Sequence, residues 1–204
     1  DIIINCYDNS LHQKIKDELS SLSYIKNIYI FTKKGVLTEV FLNNPYNIQL
    51  INYDYIFFIL DDVKISKLNF WDAIKIKRQY NIEFLSPKII NSTHDYMNKY
   101  SDLTINNFLE VYFLILTPKD IYKLFSLYNR ENKWMWGIDL LFGYFNIKTG
   151  VYYNSVAIHS LDRGKNVSPK NAMRLAINEI KKFNFKNFKE IRLKFNPIIK
   201  KIKF

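Results

Sequence analysis

The chain has 204 residues, 48% of them hydrophobic, 17% aromatic and 24% charged. That size and composition allow a real core without disulfide or metal staples, and the aromatic content excludes disorder over most of the length. Five glycines and five prolines exclude collagen-like and linker-rich classes, and a formal charge of +11 points to an anionic partner: nucleic acid, an acidic membrane surface or a phosphorylated small molecule.

In chain order, residues 2–6 are apolar and β-branched and read as a buried strand. Asp8, Asn9 or Ser10 can cap a helix carrying Leu11, Ile15, Leu19 and Leu22 at helical spacing. Residues 24–32 read as a second strand. Lys33-Lys34-Gly35 is a turn, residues 36–42 a third strand, and Asn43-Asn44-Pro45 a break. Residues 54–60 (DYIFFIL) are the clearest buried strand, ending in Asp61-Asp62. A helix follows over about 69–80, then a short strand over 82–85 that Pro87 stops. Residues 108–116 read as a long strand, and Thr117-Pro118 opens a helix with a hydroxyl cap and Pro at its first position. Residues 134–145 read as a short helix and 151–158 as a strand, with His159 just past its end. Ser168-Pro169 opens a last long helix, and residues 200–204 read as a frayed basic tail.

Strands alternating with helices predict an α/β domain with a mainly parallel central sheet. Ligands of such sheets bind beyond the carboxyl ends of the strands. That rule selects Cys6, Tyr7, Thr32, Asp61, Asp62 and His159. Cys6 is the one cysteine, so an internal disulfide and a cysteine zinc site are both excluded, and a reducing compartment is expected. The first residues lack a signal-peptide pattern, and no apolar run is long enough to span a bilayer.

Two adjacent carboxylates at a strand end repel each other unless a cation or donors compensate. Asp61-Asp62 therefore reads either as a metal–diphosphate site for Mg²⁺ or Mn²⁺, or as a solvated turn capping residues 66–68. No glycine-rich phosphate loop is present, which favours the metal. Trp134-Met135-Trp136-Gly137-Ile138-Asp139 sets a stacking surface beside a carboxylate able to act as a base, or else packs its two indoles in the core. A lone histidine such as His159 is most often structural, and gains interest from sharing the strand-end rim with Asp62.

The succession of residues 54–65, 70–89, 108–118, 134–143 (WMWGIDLLFG) and 151–161 (VYYNSVAIHSL) resembles GT-A-type glycosyltransferases. It is most similar to the DUF707-like members and to the glycosyltransferase-like domains of large DNA viruses of algae. The resemblance implies one GT-A-like domain over 1–204. Residues 1–65 would be the nucleotide-binding half, 66–165 the acceptor half, and 166–204 a C-terminal helix and basic tail. It implies a metal-dependent transferase that moves a sugar from a nucleotide-diphosphate donor, UDP favoured, to a glycan or glycoprotein hydroxyl.

Aligned on Val63, the family's acidic motif places its last position at Asp62, a metal ligand, and its middle position at Asp61, nearer the sugar or ribose. Its first acidic position falls on Leu60, a departure. The Trp-Gly-x-Asp segment implies Trp136, with Trp134, as an acceptor wall and Asp139 as the catalytic base; direct displacement with that base would invert the anomeric centre, and a retaining outcome stays open. The late histidine, His159, becomes a further metal ligand, and Cys6 and Tyr7 lie by the nucleotide base; the strand-end rule adds Thr32 to the donor-binding group. The expected setting is cytoplasmic, for a viral protein the host cytoplasm. Peripheral membrane contact is compatible with the charge, and no specific nucleic-acid binding is expected. The alternatives are a basic, aromatic-rich nucleic-acid module and a catalytically inactive nucleotide-sugar binder.

Overall fold

The structure is a computed structural model that describes residues 2–5, 17, 20–23, 28–31, 54–60, 62–92, 101–127, 130–132, 136–160, 169–195 and 198–204. Nine strands among them form one sheet: β1 (Ile2–Asn5), β2 (Ile28–Phe31), β3 (Ile56–Leu60), β4 (Val63–Lys67), β5 (Phe84–Ile90), β6 (Leu103–Asn106), β7 (Phe113–Leu116), β8 (Thr149–His159) and β9 (Ile198–Ile202). Their order is β2-β1-β3-β7-β5-β8-β6-β9, with β4 paired to β8 off this path. The described helices are α1 (Phe70–Gln79), α2 (Pro118–Ser126), α3 (Pro169–Lys181) and α4 (Phe188–Phe195).

The expected α/β architecture is present, and its sheet is mixed. β1–β2, β1–β3 and β5–β8 run parallel. β3–β7, β5–β7, β4–β8, β6–β8 and β6–β9 run antiparallel. Against the expected mainly parallel sheet, parallel pairing is confined to β1–β3 and to the β5–β8 pair.

The run at β3 is apolar throughout because both faces of the sheet are covered. Ile56 and Phe58 point into one core with Leu114, Leu116, Ile121, Leu124, Leu141, Phe142 and Ile180. Phe57 and Ile59 alternate into the other, with Ala73, Ile74, Ile76, Phe113 and Ile115. Thus α2, α3 and the segment around 138–147 cover one face, and α1 covers the other. Phe84 meets Phe142 edge-to-face with ring centroids 5.2 Å apart, which fixes β5 against that segment.

Several expected elements differ. Pro87 lies inside β5, not beyond it, and the β5–β8 register shifts between Pro87 and Lys88. A proline is tolerated at such a bulge because the missing N–H coincides with interrupted pairing. The expected strand over 108–116 shortens to β7, and in the described part of the expected 134–145 helix, residues 136–145, the helical element is a 3-10 turn, Asp139–Leu141. His159 is the last residue of β8 rather than a residue beyond it. The tail expected to fray is an edge strand, β9, paired to β6. β4, β6 and α4 were not anticipated. The expected helix over 8–22 and strand over 36–42 lie almost wholly outside the described residues.

At the end of the sheet where β5 starts, Lys77 is 4% exposed and bonds to three acceptor groups. Its ammonium donates to the carbonyls of Ile82 (2.8 Å) and Glu83 and to Oδ2 of Asp120 (2.7 Å). Burial pulls the Lys77 pKa down, and Asp120 opposes that. Asp120 also accepts from the Thr117 amide at 2.8 Å, while Thr117 Oγ1 accepts from the Asp120 amide at 3.3 Å, a reciprocal cap for α2.

Candidate active site

Three parallel strands end in register. Asn5 of β1 is level with Phe31 of β2 and with Leu60 of β3. Cys6, Thr32 and Asp61 are the next residues in the chain after these ends. They lie outside the described residues, as do Tyr7 and Trp134.

The described part of the site is assembled by β8. Its first half, up to Tyr152, pairs with β6 and β5, and its register against β5 then jumps from Tyr152 to Val156. The residues between form a bulge that bends the strand. Asn69, just before α1, pins it: its amide N–H donates to Ser155 Oγ at 3.0 Å and its side chain to the Asn154 carbonyl at 2.9 Å. Beyond the bulge β8 leaves β6 and takes β4 as its neighbour, with Val63 opposite His159. The Ser160 N–H donates to the Asp62 carbonyl at 2.8 Å.

This pairing brings together two of the residues selected from sequence. His159 Nε2 lies 3.0 Å from Asp62 Oδ2, with the imidazole side chain 9% and the carboxylate 33% exposed. The Tyr112 ring covers the imidazole, centroids 4.4 Å apart and tilted by 32°. The Tyr112 carbonyl accepts from Leu60 N–H at 3.0 Å, so the covering residue is tied to the end of β3. Asn91, at φ +66°, donates its side-chain amide to the His159 carbonyl at 3.2 Å. The His159 pKa is raised, chiefly by the hydrogen bond to Asp62; burial opposes the shift, and the Asp62 charge, the Asn91 backbone and Glu110 add to it.

The second Asp62 oxygen, Oδ1, is buried and without a hydrogen-bond partner among the described residues. A buried carboxylate oxygen left unpaired is costly, and a hard cation supplies what it lacks. Among the described residues no third His, Cys, Asp or Glu joins this pair.

Asp139 opens the 3-10 turn Asp139–Leu141 and is half-buried, as is Trp136. The turn stands on Ile138, Leu141 and Phe142, all within the first core. Asn91, Tyr112 and Ser160 were missed in the sequence. Tyr112 acts through its ring face and carbonyl, Ser160 through its N–H, and Asn91 through a side-chain bond to a backbone carbonyl, none of which leaves a motif. An asparagine just after a strand, able to take positive φ, was the one available signal.

Comparison with protein-family models finds no match, and comparison with curated proteins finds none. Among solved structures the chain is similar to TarS of S. aureus, with a TM-score of 0.52 and 14% identity over 96% of this chain and 42% of that one. It is similar as well to TarS residues 1–349 in complex with UDP-GlcNAc, with a TM-score of 0.53 and 17% identity over 96% of this chain and 62% of that one. A197 from STIV gives a TM-score of 0.49 at 14% identity, over 79% of this chain and 85% of that one. The chain thus spans less than two thirds of either TarS chain. At these identities the likeness is one of fold, and the fold is GT-A-like.

Proposed function

We propose that the chain is a metal-dependent glycosyltransferase that takes its sugar from a nucleotide diphosphate, UDP favoured. The observation that carries this reading is the Asp62–His159 pair with its unpartnered Oδ1, at the strand-end pole of a GT-A-like fold. The fold neighbour bound to UDP-GlcNAc supports the choice of donor for the test. The DUF707-like kinship is part of the same reading and rests on the sequence.

Asp62 and His159 would hold Mn²⁺ or Mg²⁺, with Asp61 as the next carboxylate in the chain. Bound there, the cation supplies charge neutralisation for a departing diphosphate. Tyr112 and Asn91 keep the imidazole in place from its ring face and its backbone. Asp139 takes the proton from the acceptor hydroxyl, with Trp136 and Trp134 as the acceptor wall, and attack from the face opposite the diphosphate inverts the anomeric centre. Cys6, Tyr7 and Thr32 contact the nucleotide, and the acceptor is a glycan or glycoprotein hydroxyl. No described helix is long and apolar enough to cross a membrane. The direct experiment is a melting-temperature measurement with UDP-GlcNAc, with Mn²⁺ and with chelator, since ligand bound to the native state raises the transition.

A further inference from the structure

The proposed base sits on a segment with little secondary structure of its own, yet that segment is gripped from two sides. Asn132, 3% exposed, closes a 3-10 turn (Arg130–Asn132) and turns its side-chain amide onto the backbone of Trp136. Its Nδ2 donates to the Trp136 carbonyl at 2.7 Å, and its Oδ1 accepts from the Trp136 N–H at 3.2 Å. One side chain thereby satisfies both peptide groups of one residue, as a neighbouring strand would. The same Nδ2 donates to Glu179 Oε2 at 3.3 Å. Glu179 is 4% exposed, on the inner face of α3, with Lys182 Nζ 3.7 Å from the same oxygen.

From the other side, α3 presses on Gly137. That glycine has φ +84°, and a Cβ there would stand 3.0 Å from both Cα and O of Ala176. Ala176 and Glu179 lie one turn apart on α3, so one helix face seats Gly137 and orients Asn132. Asp139 follows two residues after Gly137.

We infer that Asn132 and Glu179 are positioning residues of this transferase: through the Trp136 backbone they set where the Asp139 carboxylate stands. The inference rests on the reading of Asp139 as the base. Buried polar groups with complete partners define one arrangement, whereas a carboxylate on a loose turn would sample many. Catalytic groups need placement within about half an ångström.

The test uses the full chain carrying 5-fluorotryptophan, with resonances assigned by single Trp→Phe replacements, and amide exchange in parallel. Asn132→Ala should shift or broaden the Trp136 resonance and raise exchange in residues 136–142 on the order of tenfold or more, leaving Trp71 on α1 unchanged. Glu179→Gln keeps an acceptor for Nδ2 and should retain the wild-type Trp136 resonance; Glu179→Ala should not. With UDP-GlcNAc as probe and water standing in for the acceptor hydroxyl, the Asn132→Ala dissociation constant should hold within about twofold while hydrolytic release of UDP and free sugar falls about tenfold or more. An unchanged Trp136 resonance and unchanged exchange overturn the clamp. Unimpaired UDP release in a variant whose segment has loosened overturns the positioning role. A wild-type chain that neither binds nor cleaves UDP-GlcNAc overturns the transferase reading instead, and the exchange measurement still decides the clamp.

Discussion

His159 and Asp62 are 97 residues apart in the chain and 3.0 Å apart in the fold, joined because β8 exchanges β6 for β4 at its bulge. Their hydrogen bond has a consequence for stability in metal-free protein. The folded-state pKa of His159 is raised above its ordinary value. Its contribution to stability is therefore fully present below the unfolded pKa of about 6.5 and is lost as pH rises through the folded value. In chelator, Asp62→Asn should lower the His159 pKa measured by NMR titration and remove that part of the pH dependence of unfolding. A His159 pKa that does not move would show that the bond is absent in solution.

The unpartnered Oδ1 predicts the behaviour of the same variant with metal present. Asp62→Asn should weaken Mn²⁺ and UDP-GlcNAc together, on the order of tenfold or more, and Asp61→Asn should affect the metal less. Calorimetric titration of each variant checks this. The reverse pattern would move the metal ligand by one residue.

Gly137 predicts a loss of stability and not merely of activity. Gly137→Ala must adopt positive φ and push on the Ala176 backbone. The expected cost is about 2–4 kcal/mol, strain and overpacking together. Denaturant unfolding measures it. A cost under about 0.5 kcal/mol would mean that the segment moves freely away from α3.

Lys77 and Asp120 predict a non-additive pair. Asp120→Asn leaves a buried ammonium without its nearest carboxylate and should cost about 3–5 kcal/mol. Lys77→Met combined with Asp120→Asn should recover most of that loss, because the charge is gone with its partner. Additive losses would show that the ammonium reaches water in solution.

The parts of the fold legible in the sequence were those with a strong period or a chemical mark. The double-sided run at β3 and the Thr117-Pro118 start of α2 are examples. β4 was not legible, because VKISK is a short edge strand whose lysines face water and whose partner lies about 90 residues on. β9 was missed for the same reason. Pro87 misled, since a proline ends a strand unless a bulge absorbs it, and the bulge depends on β8. In the site, Asp62 and His159 were legible as strand-end polar residues. That they touch was not, because their contact depends on β4. Asn132 and Glu179 carried no signal, since what joins them to the site is a bond to each other and to the Trp136 backbone.

Donor binding through a metal held at Asp62 carries the proposed activity. The most direct measurement is the melting temperature of the wild-type chain with UDP-GlcNAc, in Mn²⁺ and in excess chelator. Ligand at about one hundred times its dissociation constant adds about 2.7 kcal/mol. For a chain of this length that is a rise of roughly 5–10 °C. That rise is expected in Mn²⁺ and should be nearly lost in chelator. An equal rise in both conditions, or none in either, would contradict donor binding through that metal.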